Sequence, residues 1–194
     1  AVPARGRLAP HGSGALRLIP RLWTAERAGY RDYVEWALDA GMFLFLRDGA
    51  VVANTGQTFR SFLTDGFAGH RATLADWNLH LHTLFPEARL RHTVEIRSCD
   101  SLPMTLAPAV PALFTGLLYD ARAFAGARDL MAPFSHEDVQ HARAELVARG
   151  LEAEIAGTPA RRLAEELLDL AWAGLTRRAR LDDRGQDETV HLRR

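Results

Sequence analysis

The chain has 194 residues, with 24 basic and 24 acidic side chains, eight histidines and one cysteine. Every basic residue is an arginine, which excludes a phosphate-binding loop of the G-x-x-x-x-G-K-S/T type and any lysine nucleophile. The balanced charge argues against a general nucleic-acid binder, which needs a basic surplus. The single cysteine, Cys99, permits no internal disulfide and predicts a reducing, cytoplasmic location. No run approaches the ~20 apolar residues that span a membrane, so no membrane partner is expected.

The first part of the chain is predicted to combine helices with short strands. Residues 1–24 hold four arginines and no acidic residue, and we expect them to be an irregular lead-in at the edge of a truncation. Thr24 is a candidate cap for a helix that continues to Ala40. Asp48 and Gly49 stand between two short apolar runs, which is the sequence pattern of a β-hairpin.

Two more helices and a strand are expected before residue 100. Residues 58–63 predict a short helix or turn. Thr73 followed by Asp76 has capping-box spacing and predicts a helix through Leu84. Residues 91–97 alternate in the manner of a strand.

The chain beyond residue 109 is predicted to be helical. Helices are expected at 109–119, at 121–130, at 135–150 and from a cap and first-turn proline at 158–159. The predicted fold class is therefore α+β, predominantly helical with a small antiparallel sheet.

One face of the strand at 91–97 is the first candidate site. Glu95 and Arg97 lie about 7 Å apart on that face, and Asp100 follows at the strand's exit. The carboxylate suits Mg²⁺, and the guanidinium suits a carboxylate or phosphate held by two bonds. The alternative is the solvated face of an antiparallel sheet, which the spacing alone favours.

Three further patterns have structural alternatives. His80 and His82, with His92, have a metal-ligand spacing for a strand, but the capping box predicts a helix, which favours hydrogen-bonded histidines. Residues 54–60 form a polar loop that suits either ligand binding or a plain connection. Cys99 is more readily interpreted as a small buried residue than as a nucleophile.

Several segments resemble one enzyme family. Residues 76–90, DWNLHLHTLFPEARL, are similar to the DWxxHLxTLFPExRL signature of the plant and proteobacterial glutamate–cysteine ligases. Four more segments resemble that family in the same order, from about residue 16 to residue 190. They are 33–47 (YVxxALDxPMxFxYR in the family), 56–62 (GQTFRDF), 111–120 (PALWVGLLYD) and 178–189.

Two departures qualify the resemblance. Residues 94–104 read VEIRSCDSLPM where the family has IEMRGADGGPW, and they also resemble the VEVRVCD strand of related carboxylate–amine ligases. Family members are about twice as long as this chain. The resemblance therefore implies the C-terminal half of a glutamine-synthetase-like ligase fold, with the N-terminal half as a partner in cis or in trans. Residues 25–180 are interpreted as that half of the catalytic domain and 181–194 as a charged tail.

The resemblance implies an ATP-dependent ligase that joins glutamate to cysteine through a γ-glutamyl phosphate, with Mg²⁺ as a further cofactor. Arg97 and Glu95 are the implied catalytic residues, and Glu95 is also a candidate metal ligand. The implied substrate-binding residues are Arg60, Gln57, Met42, Phe45 and Asp100. Two alternatives stay open, namely a non-catalytic helical binding module and a related ligase that uses another amine.

Overall fold

The computed structural model describes residues 18–24 and 28–193. The chain divides into two compact units, Ala1–Ser98 and Cys99–Arg194. In the described residues helices predominate, and the strands form three separate two-stranded antiparallel sheets. The predicted α+β class is therefore confirmed. The boundary between the units falls inside the region 25–180, which the sequence presents as continuous.

The described residues of the first unit form four helices and two hairpins. In chain order these are α1 (Pro20–Thr24), α2 (Tyr30–Asp39), β1 (Leu44–Arg47), β2 (Ala50–Ala53), α3 (Phe59–Asp65), α4 (Leu74–Thr83), β3 (Ala88–Leu90) and β4 (Val94–Ile96). Helix α1 lies within the predicted irregular lead-in, whose residues 1–17 are outside the described part.

The second helix begins later than the sequence predicts. Thr24 is the last residue of α1, and α2 begins at Tyr30. Its N-cap is Gly29, whose amide donates to the carboxylate of Asp32 at 3.0 Å. An acidic residue in the first turn also suits the positive end of the helix dipole.

The cap predicted for α4 is confirmed, and α3 also begins with a side-chain cap. The Thr58 hydroxyl accepts a hydrogen bond from the Ser61 amide at 3.1 Å. At α4 the Thr73 hydroxyl accepts from the Asp76 amide at 3.3 Å, and the Asp76 carboxylate accepts from the Thr73 amide at 2.8 Å. Both arrangements use only residues three apart in the chain, which is why the capping box of Thr73 and Asp76 is predictable from local sequence.

The hairpin predicted at Asp48-Gly49 is also confirmed. Strands β1 and β2 pair with Arg47 opposite Ala50. The two turn residues have φ of 49° and 78°, both in the left-handed region that a type I′ turn requires.

The strand predicted at 91–97 is shorter than expected. Strand β4 covers only its second half and pairs with β3, and the Arg91 amide donates to the Thr93 carbonyl at 2.9 Å within the connecting turn. In this hairpin Arg89 stands directly opposite Glu95. The turn removes Arg91 and His92 from the alternating pattern on which the prediction rested.

Two clusters of buried side chains form the core of the first unit, and Trp77 packs against both. The first joins α2 to the end of α4 and consists of Ile19, Tyr33, Trp36, Ala37, Ala40 and Leu84. The second joins the β1–β2 hairpin to α3 and consists of Met42, Phe45, Phe59 and Phe62.

The described residues of the second unit form four helices and one short hairpin. In chain order these are α5 (Ala109–Leu118), α6 (Ala121–Met131), α7 (His136–Arg149), β5 (Glu154–Ile155), β6 (Thr158–Pro159) and α8 (Ala160–Arg178). The first three helices agree with the predicted ones. Thr158 does not cap α8, because Pro159 occupies the N-cap position, without a side-chain hydrogen bond. Thr158 and Pro159 instead form β6, which pairs with β5 across a turn at Ala156 and Gly157 with φ of 46° and 77°.

Helices α5 and α8 approach closely at two glycines. A Cβ on Gly116 would lie 2.2 Å from the Ala171 carbonyl oxygen, and a Cβ on Gly174 would lie 2.1 Å from the Gly116 carbonyl oxygen. Any side chain at these positions would force the backbones apart. Part of the predicted tail packs nearby as a 3₁₀ turn, Glu188–His191, in which Thr189 is buried.

No helix within residues 18–24 and 28–193 combines the length and the apolar composition needed to cross a membrane.

Candidate functional site

The β3–β4 hairpin carries a cluster of two arginines and one glutamate. Arg89 donates to one carboxylate oxygen of Glu95 through Nε at 2.7 Å and Nη2 at 2.6 Å. Arg97 donates to the other oxygen through Nη1 at 2.7 Å. Both guanidinium groups lie over the ring of Phe85, with 5.8 Å from Arg89 and 5.1 Å from Arg97 to its centroid. We call Arg89, Glu95 and Arg97 the arginine cluster.

The hairpin register brings these side chains to one face. Glu95 and Arg97 are two residues apart and therefore share a face, and Arg89 stands directly across from Glu95. The Arg97 amide donates to the Glu87 carbonyl at 2.8 Å, which continues the pairing one step beyond β4.

The arginine cluster carries one net positive charge. The hydrogen bonds from Arg89, followed by those from Arg97, hold the pKa of Glu95 below its usual value, so the carboxylate is ionised at neutral pH. Among the described residues the Arg97 guanidinium donates only to Glu95, and 30% of its side chain is exposed. Its Nε and Nη2 donors are therefore available to an incoming carboxylate or phosphate.

The surroundings of Glu95 suit an orienting acceptor better than a metal ligand. Each of its oxygens already accepts from a guanidinium group, and two adjacent positive charges disfavour a divalent cation. The described part of the chain contains no group of three His, Cys, Asp or Glu side chains placed to hold a metal ion. These residues therefore do not fit Mg²⁺.

Arg60 has a different set of partners. Its Nε donates to Asp39 at 2.7 Å and its Nη2 to Glu35 at 2.8 Å, both on α2. The structure thus ties Arg60 to α2, while Arg97 belongs to the β3–β4 hairpin. Its Nη1 donates to no acceptor among the described residues, and 44% of the side chain is exposed.

Gln57 holds the loop between β2 and α3 together. It accepts from Asn54 at 2.9 Å and donates to Ser61 and to the Gly66 carbonyl, both at 3.1 Å. Asn54 is 1% exposed. These bonds account for both polar atoms of the Gln57 amide, so a substrate contact at Gln57 requires one of them to be exchanged.

Met42 and Phe45 lie in the core. They are 2% and 0% exposed, and Phe45 stacks on Phe62 with a centroid distance of 4.8 Å. The expectation that they line a pocket wall does not agree with this burial. Both residues stand in an apolar run, which fits a buried core as well as a pocket wall, and local sequence does not distinguish the two.

Asp100 and Cys99 are both exposed and belong to the second unit. The expectation that Cys99 is a small buried residue is wrong. It follows β4 in a segment without regular secondary structure and does not enter a core, and only its place in the fold decides that.

The histidines of α4 have structural surroundings. His80 is 1% exposed, and its Nε2 lies 2.8 Å from the Ala37 carbonyl oxygen. Burial lowers the pKa of His80, so the neutral ring donates from Nε2 to that carbonyl. The hydrogen-bonded helix histidine predicted from the capping box is confirmed at this position. His82 contacts Arg91 instead.

Two arginines with structural importance have no role in the sequence interpretation. Arg89 is 8% exposed and holds Glu95. Arg47 makes a two-bond ion pair with Asp76 at 2.7 and 2.8 Å. The pattern of residues 88–90 and 94–97 could have identified Arg89 from the sequence. It does so only if the two segments are recognised as the paired strands of one hairpin.

Comparisons with known proteins support the resemblance seen in the sequence. Glutamate–cysteine ligase A, chloroplastic, from Oryza sativa subsp. indica is 35% identical over 153 residues, which are 77% of this chain and 31% of that protein. The chloroplastic glutamate–cysteine ligase of Brassica juncea is 37% identical and that of Medicago truncatula 36%, each covering 77% of this chain and 30% of the relative. The chain therefore spans about a third of the length of these curated relatives.

All three relatives are named as chloroplastic proteins. The cytoplasmic location predicted from the cysteine count is therefore wrong, because few cysteines suit any compartment that keeps thiols reduced. The profile of glutamate-cysteine ligase family 2 matches residues 17–194. Together with these relatives, that match shows that the chain belongs to glutamate-cysteine ligase family 2.

Proposed function

We propose that this chain is part of an ATP-dependent ligase that joins glutamate to cysteine through a γ-glutamyl phosphate, the first step of glutathione biosynthesis. Membership of the family and the names of the relatives support this proposal. The chain spans about a third of those relatives, so the activity is proposed for the whole protein.

The arginine cluster supplies the anion-binding group in this proposal. Arg97 binds a carboxylate of glutamate or the transferred phosphate, and Glu95 orients its guanidinium. The observation that carries the proposal is the pair of unused donors, Nε and Nη2, on a partly exposed guanidinium that Glu95 and the Phe85 ring hold in place. Fixed guanidinium groups stabilise acyl-phosphate chemistry because they are already oriented when charge develops.

ATP and Mg²⁺ are proposed cofactors of the whole protein. Bound Mg²⁺ neutralises charge on the phosphates during transfer. Since the donor set near Glu95 does not fit a cation, the residues that hold the nucleotide and its metal are proposed to lie in the remainder of the protein, in the same chain or in a second one.

The other predicted substrate contacts are proposals as well. Arg60 offers its Nη1 group to a ligand without losing Glu35 or Asp39. Gln57 and Asp100 have no comparable argument from geometry. Met42 and Phe45 support the β1–β2 hairpin from within the core, so we assign them no substrate contact.

The test is a turnover assay on the full-length protein. ADP release is measured with glutamate and cysteine together and with each omitted, and γ-glutamylcysteine is identified by mass. ADP release that needs both substrates supports the proposal. Glutamate binding without ADP release would favour the non-catalytic module instead.

The identity of the amine is tested in the same assay. The segment VEIRSCD at 94–100 also resembles the related carboxylate–amine ligases, so a panel of amines replaces cysteine. Cysteine is expected to give the highest turnover. Equal or faster turnover with another amine would assign the protein to that related group.

A further inference from the structure

Arg89 is the least exposed member of the arginine cluster, with 10% of its side chain exposed against 38% for Glu95 and 30% for Arg97. Its Nη1 lies 3.4 Å from the carbonyl oxygens of His82 and Leu84, at the carboxyl end of α4. A cation at that end of a helix is favourable because the last carbonyls have no partner within the helix. Arg89 is therefore anchored to α4 on one side and to Glu95 on the other.

The two arginines donate different numbers of hydrogen bonds to the Glu95 carboxylate. Arg89 occupies Oε2 with two donors, whereas Arg97 reaches Oε1 with one. A carboxylate and a guanidinium left alone pair through two parallel bonds. By holding Oε2, Arg89 prevents Glu95 from pairing with Arg97 in that way.

The charges lead to the same conclusion. With Arg89 present the arginine cluster carries one net positive charge, and without it the remaining pair is neutral. A neutral, fully paired Arg97 attracts an anion less, because the ligand must compete with Glu95 for the same donors.

We propose that Arg89 is a positioning residue that holds Glu95 away from full pairing with Arg97 and so keeps Arg97 able to bind the anionic substrate. This inference rests on the proposed function, in which Arg97 binds that anion. Arg89 acts through Glu95 and does not touch the substrate.

The test uses substitutions in the full-length protein, with KM for glutamate, kcat and the calorimetric Kd for glutamate as readouts. In Arg89→Met, KM and Kd rise about tenfold, the size of effect seen within one ion-pair network, while kcat changes much less. The reason is that anion binding is lost equally from the ground state and the transition state.

A second substitution separates positioning from a merely structural role. In the double variant Arg89→Met with Glu95→Gln, the competing charge is gone and the net charge returns to +1, while the amide oxygen of the new side chain still accepts from Arg97 and orients it. The KM and Kd for glutamate then return to within about threefold of the wild type. If Arg89 only supports the fold, the double variant is as impaired as Arg89→Met or more so.

Arg91→Met is the matched control. Arg91 is exposed on the same hairpin and contacts His82 rather than Glu95. Removing its charge is expected to leave KM for glutamate within about twofold of the wild type. A rise equal to that of Arg89→Met would show a general charge effect and overturn the proposal.

The outcomes distinguish this inference from the proposed function. A wild-type protein whose ADP release does not depend on glutamate refutes the proposed function, and the calorimetric Kd values then decide the role of Arg89. A wild type that ligates glutamate normally, with an Arg89→Met variant of unchanged KM and Kd, refutes only the role of Arg89. If Arg89→Met fails to fold, Arg89→Lys replaces it, with a smaller rise that Glu95→Gln again reverses.

Discussion

We predict that the ion pair between Arg47 and Asp76 contributes strongly to the free energy of unfolding. Asp76 is 3% exposed and receives two bonds from Arg47, at 2.7 and 2.8 Å. It also accepts from the amide and the hydroxyl of Thr73, at 2.8 and 2.7 Å, and so closes the capping box of α4. The perturbation is Asp76→Ala, which removes all four bonds at once.

The size of the expected loss of stability depends on the hydrogen bonds that Arg47 keeps in the variant. Breaking a buried ion pair by removing one partner costs about 3–5 kcal/mol, and losing a helix cap about 1 kcal/mol. Arg47 retains bonds to the carbonyls of Leu46 and Arg71, and 21% of its side chain reaches water. We therefore expect the lower end of the range, a loss of about 3 kcal/mol in the free energy of unfolding.

The assay is urea unfolding followed by tryptophan fluorescence, since Trp36 and Trp77 lie in the core of the same unit. Asp39→Ala is the matched control, because Asp39 also pairs with an arginine at 2.7 Å but is 54% exposed. Its effect is expected to stay within about 0.5 kcal/mol. Equal losses in the two variants would refute the reasoning, since burial would then not determine the strength of the pair.

The same ion pair makes the stability of the protein depend on pH. The hydrogen bonds from Arg47 lower the pKa of Asp76 relative to the unfolded chain, in which it is about 3.9. The stability contributed by the ionised carboxylate is therefore complete above that pH and is lost as the pH falls through the lower, folded pKa. The difference in stability between the wild type and Asp76→Asn should narrow over that acidic interval, and a constant difference would contradict the assignment.

Three further predictions concern other parts of the molecule. In the full-length enzyme, Arg97→Ala should cost about 3–5 kcal/mol of transition-state stabilisation, seen as a loss of at least about a hundredfold in kcat/KM, and an unchanged value would show that Arg97 binds no substrate anion. Gly116→Ala should destabilise the chain by at least about 1–3 kcal/mol in urea unfolding, because the new Cβ would meet the backbone of α8. Gly126→Ala should cost less, because its new Cβ would meet only a flexible leucine side chain. Burial lowers the pKa of His80, so the stability that the neutral ring contributes is complete above about pH 6.5. That stability is lost as the pH falls through the pKa of His80 in the folded protein. His80→Gln should remove this pH dependence of thermal unfolding.

Local patterns explain which structural predictions succeed. The type I′ turn at Asp48-Gly49 and the capping box of Thr73 with Asp76 depend only on residues within three positions of each other. The start of α2 shows the limit of this reasoning. Thr24 is a chemically reasonable cap, but it ends α1, and Gly29 is the N-cap of α2.

The candidate site divides in the same way. The sequence by itself indicated the family, Arg97 and Glu95 on one face of a strand, and a helical setting for His80. Only the tertiary structure decided the partners: Arg89 across from Glu95, Arg60 on α2, and Phe45 in the core. The physical reason is that spacing along the chain sets which side chains share a face, whereas pairing between elements depends on register and packing over long range. The length of 194 residues and its balanced charges therefore bounded the possibilities, and the hairpin register created a local excess of positive charge at the arginine cluster.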